Sequence, residues 1–319
     1  MSKLASFLEF TKNINEGGAA IKSSRSIRED EAQETIDHIK SILFPILGIS
    51  PDKEFTDYML IGSIGKKINP DDLSGDIDLG YNGTDFARKN GISFKECSAF
   101  LRDLLYRELP GSLGYQPEMK ALPGLNILSI GWPIKGDEVN GIVQLDLIPV
   151  TNMNWAKFIY YSPDYRLKES NWKSAHRNWL LSAALIAQQE ILDRNEEGEI
   201  MDYKKPVLLL PSGLWLHTKT YKGERYKKGD LKMRLKNSQK VPGSEEFVTD
   251  DPQEFVDFAL GTGYKPEDVR TFEQVLKIMT SPNFKYREFL PEIKEKFIEL
   301  LNRTKLPIPP ETELLSADQ

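Results

Sequence analysis

The chain has 319 residues, 39% hydrophobic and 28% charged, with a net charge of −6, the composition of a globular protein long enough for two domains. Its single cysteine, Cys97, excludes an internal disulfide and leaves no cysteine cluster for zinc. No apolar run is long enough to span a membrane and the polar start MSKLASFLEF does not read as a signal peptide, so a cytoplasmic protein without membrane contact is expected.

Residues 1–50 read as helices that pack on the domain following them. Gly17-Gly18 marks the end of a short first helix. Ser26-Ile27-Arg28-Glu29 fits a capping box, with Ser26 and Glu29 satisfying backbone N–H groups at the start of a second. Ala32, Ile36, Ile39 and Leu43 recur at helical spacing, and Pro45 and Gly48 end the run. His38, off this stripe and beside Asp37, reads as a solvated surface residue.

The segment MLIGSIGKKINPDDLSGDIDLG, Met59 to Gly80, is the densest in chemical signal. Tyr58 to Ile61 form a short apolar strand, broken at once by Gly62-Ser63. Asp76 and Asp78 stand two apart in a second strand, so both carboxylates project from one face while Ile77 and Leu79 enter a core. Carboxylates held so close raise each other's pKa unless a cation neutralises them, and a hard ion such as Mg²⁺ takes carboxylate and phosphate oxygens. Turn-capping is the competing reading for aspartates in this Gly/Pro/Asn-rich stretch. Turn-capping does not account for Asp146, the sole charge in the apolar strand VQLDLIPV (Val143 to Val150), where a lone carboxylate is costly unless paired or metal-bound. The Gly-Ser turn could present backbone N–H groups to phosphate at a helix start, with Ser63 as a further donor; the Walker A spacing is absent.

Gly62-Ser63, a spacer, Asp76-x-Asp78 between apolar residues, and Asp146 on a later strand together resemble the nucleotidyltransferase superfamily of DNA polymerase β, poly(A) polymerases and CCA-adding enzymes. The resemblance covers roughly residues 55–150, under a third of the chain. It implies an α+β fold, a mixed sheet backed by helices, followed by a mainly helical second domain. It also implies that Asp76, Asp78 and Asp146 are the catalytic residues and hold two Mg²⁺ ions, with Mn²⁺ able to substitute. Asp146 would bind the ion that activates the acceptor hydroxyl, and the second ion would neutralise the leaving pyrophosphate. Gly62, Ser63, Lys66 and Lys67 would contact the triphosphate of an NTP, ATP among the candidates. The two lysines read equally well as solvated loop residues.

The domains expected are residues 1–50, a catalytic core over 51–155, a mainly helical domain over 156–305, and a flexible Pro-rich tail over 306–319. Ser93 to Glu108 reads as a helix with Phe94, Cys97, Phe100, Leu101, Leu104 and Leu105 on one face, stopped by Pro110-Gly111. Cys97 is a small core-facing residue on it. Leu125 to Trp132 and Gly141 to Val150 read as an antiparallel hairpin that brings Asp146 alongside Asp76 and Asp78. Beyond it, Trp172, Ala175, Trp179, Ala183 and Ile186 form a helical core stripe, while His176 and Arg177 read as surface groups.

Val207 to Tyr221 reads as a strand pair or a strand-turn-helix about Pro211-Ser212-Gly213. Around it, the window 204–240 carries +9 and the rest of the chain −15, with Tyr203, Trp215, Tyr221 and Tyr226 interleaved. Such a mixture suits a nucleic-acid backbone with stacked bases, and equally a solvated loop. Lys219, Lys222, Arg225, Lys227 and Lys228 are the acceptor-binding candidates, and an RNA 3′ end is the acceptor expected. Transfer to a small molecule, a protein or a second nucleotide, and a non-catalytic protein keeping the fold, are the alternatives. Three further helices, beginning near Asp251, Pro266 and Pro282, complete the chain before the tail.

Overall fold

A computed structural model describes residues 20–122, 126–192, 203–220 and 239–316. It divides into two compact units, Met1–Asn171 and Trp172–Gln319. The Gly17-Gly18 break lies outside the described residues. The first unit extends past residue 155, because helix α4 (Met153–Ile159), N-capped by Asn152, packs on the strands of its sheet.

The first unit is built on a five-stranded mixed sheet. Its strands are β2 (Tyr58–Ile61), β4 (Asp76–Asn82), β7 (Ile142–Val150), β6 (Ile127–Pro133) and β5 (Met119–Leu122), in that spatial order. All neighbours are antiparallel except β4 and β7, which run parallel. The β6–β7 hairpin forms as its alternation predicts; β5 was not legible in the sequence. A separate two-residue ladder joins β1 (Ile27–Arg28) to β3 (Leu73–Ser74).

Strand alternation gives this sheet two chemically different faces. Ile77 and Leu79 of β4, Leu128, Ile130 and Trp132 of β6, and Val143, Leu145 and Leu147 of β7 are buried in one apolar cluster. Helices α1 (Glu29–Leu47), α2 (Gly83–Asn90) and α3 (Cys97–Leu113) cover it with Ile36, Leu43, Phe86, Leu101 and Leu105. Each such leucine or isoleucine contributes about 2 kcal/mol by leaving water. The intervening residues, Asp76, Asp78, Ser129, Gln144 and Asp146, alternate with the core set and so fall on the opposite face.

Several local expectations change on folding. Helix α1 begins at Glu29, because residues 27–28 are drawn into the ladder with β3. The capping carboxylate is therefore Glu31, which accepts from the Arg28 backbone N–H at 3.0 Å and pairs with Arg25 at 2.7 Å. Pro45 lies within the helix and Gly48, at φ +64°, ends it. His38 is not a solvated residue: it is half-buried, and its Nδ1 accepts the indole N–H of the fully buried Trp132 at 3.1 Å. Helix α2, absent from the expected elements, is nucleated by Asn82, whose side chain accepts from the Asp85 N–H. Pro110-Gly111 does not stop α3, which runs to Leu113 and ends on Gly114. The hydrogen bond Pro110 gives up belongs to a turn whose residues Tyr106 and Arg107 face solvent. Cys97 is a core residue, and burial pushes its thiol up to about 11.

Among its described residues the second unit joins helices to a three-stranded sheet. Its helix α5 (Ser174–Leu192) is buried all round from His176 to Gln188 and packs with α6 (Pro252–Leu260), α7 (Phe272–Met279), α8 (Leu290–Thr304) and the strand β8 (Tyr203–Leu210). Alongside stands an antiparallel sheet of β8 (Tyr203–Leu210), β9 (Gly213–Thr220) and β10 (Gln239–Thr249), in the order β10-β9-β8. The strand pair about Pro211-Ser212-Gly213 forms, and β10 adds a third strand that its polar sequence did not announce.

The encirclement of α5 overturns the surface reading of two residues. His176 and Arg177 are buried; His176 Nε2 donates to the Pro307 carbonyl at 3.0 Å, and the Arg177 guanidinium donates to Asn178. The stripe residues Trp179, Ala183 and Ile186 are core, as expected. The tail is ordered over 306–316, with Leu306, Thr312 and Leu315 buried; these anchors outweigh the Pro-rich composition. No helix among the described residues is long and apolar enough to cross a membrane.

Candidate metal centre

The polar face of the first sheet gathers the three aspartates. The parallel pairing of β4 and β7 puts Asp78 directly opposite Asp146, and the β2–β4 ladder puts Ile61 opposite Asp78. One carboxylate oxygen from each of Asp76, Asp78 and Asp146 lies within 4.8 Å of the others. Two full charges at about 4 Å repel by on the order of 4 kcal/mol at an effective dielectric of about 20, so the trio stays fully ionised only beside a cation. Burial, then the charges of Asp76 and Asp146, holds the Asp78 carboxyl well above the usual range. Burial and the charge of Asp76 push Asp146 up to about 7, against the donors Ser129 and Gln144.

The surroundings fit an additional oxygen-seeking occupant. Ser129 is the fully buried cross-strand partner of Asp146, and its hydroxyl acts on that carboxylate as a donor. The hydroxyl of Tyr160, at the end of α4, is buried and makes no hydrogen bond among the described residues; burial and then the Asp78 charge push its pKa up. A buried hydroxyl without a partner costs about 1–3 kcal/mol, and a hydrated cation would supply one. The donor set, all oxygen with three carboxylates, suits Mg²⁺ or Mn²⁺ and is wrong for a thiolate-preferring metal.

Gly62 abuts the cluster. Its φ is +82°, and a Cβ there would lie 3.0 Å from Asp78 Oδ2. Ser63 follows in the same turn, but the segment 62–67 does not lead into a helix. Three of its backbone donors are engaged: Gly65 and Lys67 N–H donate to the two carboxylate oxygens of Glu29, at 3.2 and 3.3 Å, and Lys66 N–H donates to the Ser63 carbonyl. Lys66 Nζ donates to the Ser162 carbonyl at 3.1 Å and stands 5.9 Å from the Tyr161 ring centre, while Tyr165 N–H donates to the Lys66 carbonyl. Burial pushes the Lys66 amine down, opposed by Asp164 and Glu169. Lys67 Nζ donates to the Leu73 carbonyl.

Gly62, Ser63, Asp76, Asp78 and Asp146 thus belong to one neighbourhood, while the ammonium groups of Lys66 and Lys67 are engaged by backbone carbonyls. Of the acceptor candidates, Lys219 lies in β9, its backbone opposite Tyr203 and Lys240; Lys222, Arg225, Lys227 and Lys228 lie outside the described residues. Sequence reasoning missed Gln144, Ser129 and Tyr160. Gln144 stands two residues before Asp146 and Ser129 interrupts an apolar strand, so both had a signal; Tyr160 had none.

Compared with protein-family models, curated proteins and solved structures, the chain matches none. The nucleotidyltransferase resemblance rests on Gly62, Ser63, Asp76, Asp78 and Asp146 alone.

Proposed function

We propose that the chain is a metal-dependent nucleotidyltransferase that moves an NMP from an NTP to an acceptor hydroxyl with release of pyrophosphate. The observation carrying this reading is the convergence of Asp76, Asp78 and Asp146, from two parallel strands, within 4.8 Å beside the Gly62 turn. Asp76, Asp78 and Asp146 would hold divalent cations, whose chemistry there would be to lower the pKa of the acceptor hydroxyl and neutralise the leaving group. The chain's own contribution is positional: the carboxylates fix where cation and phosphate meet, Gly62 leaves room at Asp78, and Ser63 offers a hydroxyl to phosphate oxygen. Phosphoryl chemistry needs little else from side chains.

RNA is the acceptor this reading favours. The support is the +9 window over 204–240.

The test incubates the purified chain with each α-labelled NTP, Mg²⁺ and total RNA, beside Asp76→Asn. Label entering RNA with the wild type alone supports both parts. Label in protein or small products keeps the transferase and removes RNA. No transfer with any nucleotide, and no Mg²⁺-dependent NTP binding, removes the proposal.

A further inference from the structure

Gln144 is the side chain most committed to the cluster. It is 4% exposed, and its amide spans two parts of the first unit. On one side Oε1 accepts the backbone N–H groups of Ala20 and Ile21, at 2.9 and 3.1 Å. On the other, Nε2 donates to both oxygens of Asp146, at 3.0 and 3.1 Å. The segment holding the first side is itself anchored along β7. Ser24 bridges to Ile142, Arg25 N–H donates to the Ile142 carbonyl at 2.7 Å, and Ile21 is buried beside Gly131.

These bonds leave the amide one orientation. Turned over, its NH₂ would face two N–H groups and its oxygen would face a carboxylate, so four attractive contacts would become four repulsive ones. Two backbone donors far away in sequence therefore dictate that Asp146 meets N–H groups. One amide nitrogen shared almost equally by both oxygens fixes where the carboxylate sits, and with it the lone pairs left for an ion.

We propose that Gln144 is a positioning residue of the metal centre: an amide oriented by Ala20–Ile21 that fixes the Asp146 carboxylate for a divalent cation. This rests on the metal reading above and adds to it the dependence of the third carboxylate on a segment preceding β1. Partners that orient a metal ligand from behind commonly contribute about 10–100-fold in metal affinity.

The experiment is Mn²⁺ binding to the full chain, followed by the loss of the free-ion electron paramagnetic signal, for wild type and Gln144→Met. Methionine keeps the length and apolar stem of glutamine and removes both sets of hydrogen bonds. The expected result is at least about tenfold weaker Mn²⁺ binding by a chain with wild-type circular dichroism. Wild-type affinity in folded Gln144→Met overturns the proposal. Should Gln144→Met fail to fold, Ala20→Pro carries the decision, since it deletes one of the two orienting N–H groups without touching the sheet. Several-fold weaker binding supports the proposal, and unchanged binding overturns it. Absence of Mn²⁺ binding by the wild type itself removes the metal reading and this inference with it.

Discussion

Asp78 closes over Gly62: its Oδ2 sits 3.0 Å from the place a Cβ would occupy on a residue whose φ is +82°. Glycine is required there twice, for backbone conformation and for room. Gly62→Ala is expected to cost about 1–2 kcal/mol in strain alone and to displace the Asp78 carboxylate. Thermal unfolding should show the loss of stability, and Mn²⁺ titration should show weakened binding beyond it. An alanine variant with wild-type stability and affinity would contradict this role.

The charge of the cluster makes a pH prediction. In cation-free protein the folded state binds extra protons at Asp78 and Asp146, the latter raised to about 7. A carboxyl whose folded pKa is raised stabilises the fold below its unfolded value, about 4, and that stability is lost as pH rises through the folded value. Melting temperature should therefore fall between about pH 5 and about pH 8 in chelator. Asp146→Asn should flatten the fall, and saturating Mg²⁺ should reverse it in the wild type only. The same variant should lose nucleotidyl transfer.

Glu29 ties the Gly-Ser turn to helix α1 by accepting from Gly65 and Lys67 N–H. Glu29→Ala should lose about 1 kcal/mol, from two hydrogen bonds and an anion at a helix N-terminus, softened by solvent exposure. Amide hydrogen exchange should accelerate at residues 65 and 67 while the β4 amides stay protected. Glu29→Gln, which keeps an acceptor, should fall between.

Trp132 and His38 make a smaller pH-sensitive contact. The indole N–H donates to Nδ1, which must be unprotonated, and burial pushes the His38 pKa down. Such a group contributes stability that is full above its unfolded pKa, about 6.5, and is lost as pH falls through the lowered value. His38→Leu should cost about 1–3 kcal/mol at neutral pH by orphaning a buried donor, and the cost should shrink in acid. Urea unfolding at two pH values checks both.

Period-two alternation was enough to read Asp76 and Asp78 on one strand face, and to read the β6–β7 hairpin, because these are local properties of a pleated strand. Helix α2 was missed because GTDFARKN has few apolar side chains, Phe86 and Ala87, to mark a buried face, although Asn82 caps it. The burial of His176 and Arg177 was misread because polarity marks a surface only where a helix has one. Helix α5 is enclosed by elements from far along the chain.

The sequence by itself determined which residues are chemically committed: two aspartates on one strand face, a glycine turn before them, and a third aspartate alone in an apolar strand. Tertiary structure alone decided the register that sets Asp146 directly opposite Asp78, the locking of Gln144 to Ala20 and Ile21, and the burial of the Tyr160 hydroxyl without a partner among the described residues. The physical reason is range. Side-chain direction within a strand follows from backbone geometry one residue at a time. The register between strands far apart in sequence follows from which apolar faces exclude water together, and that is a property of the whole sheet.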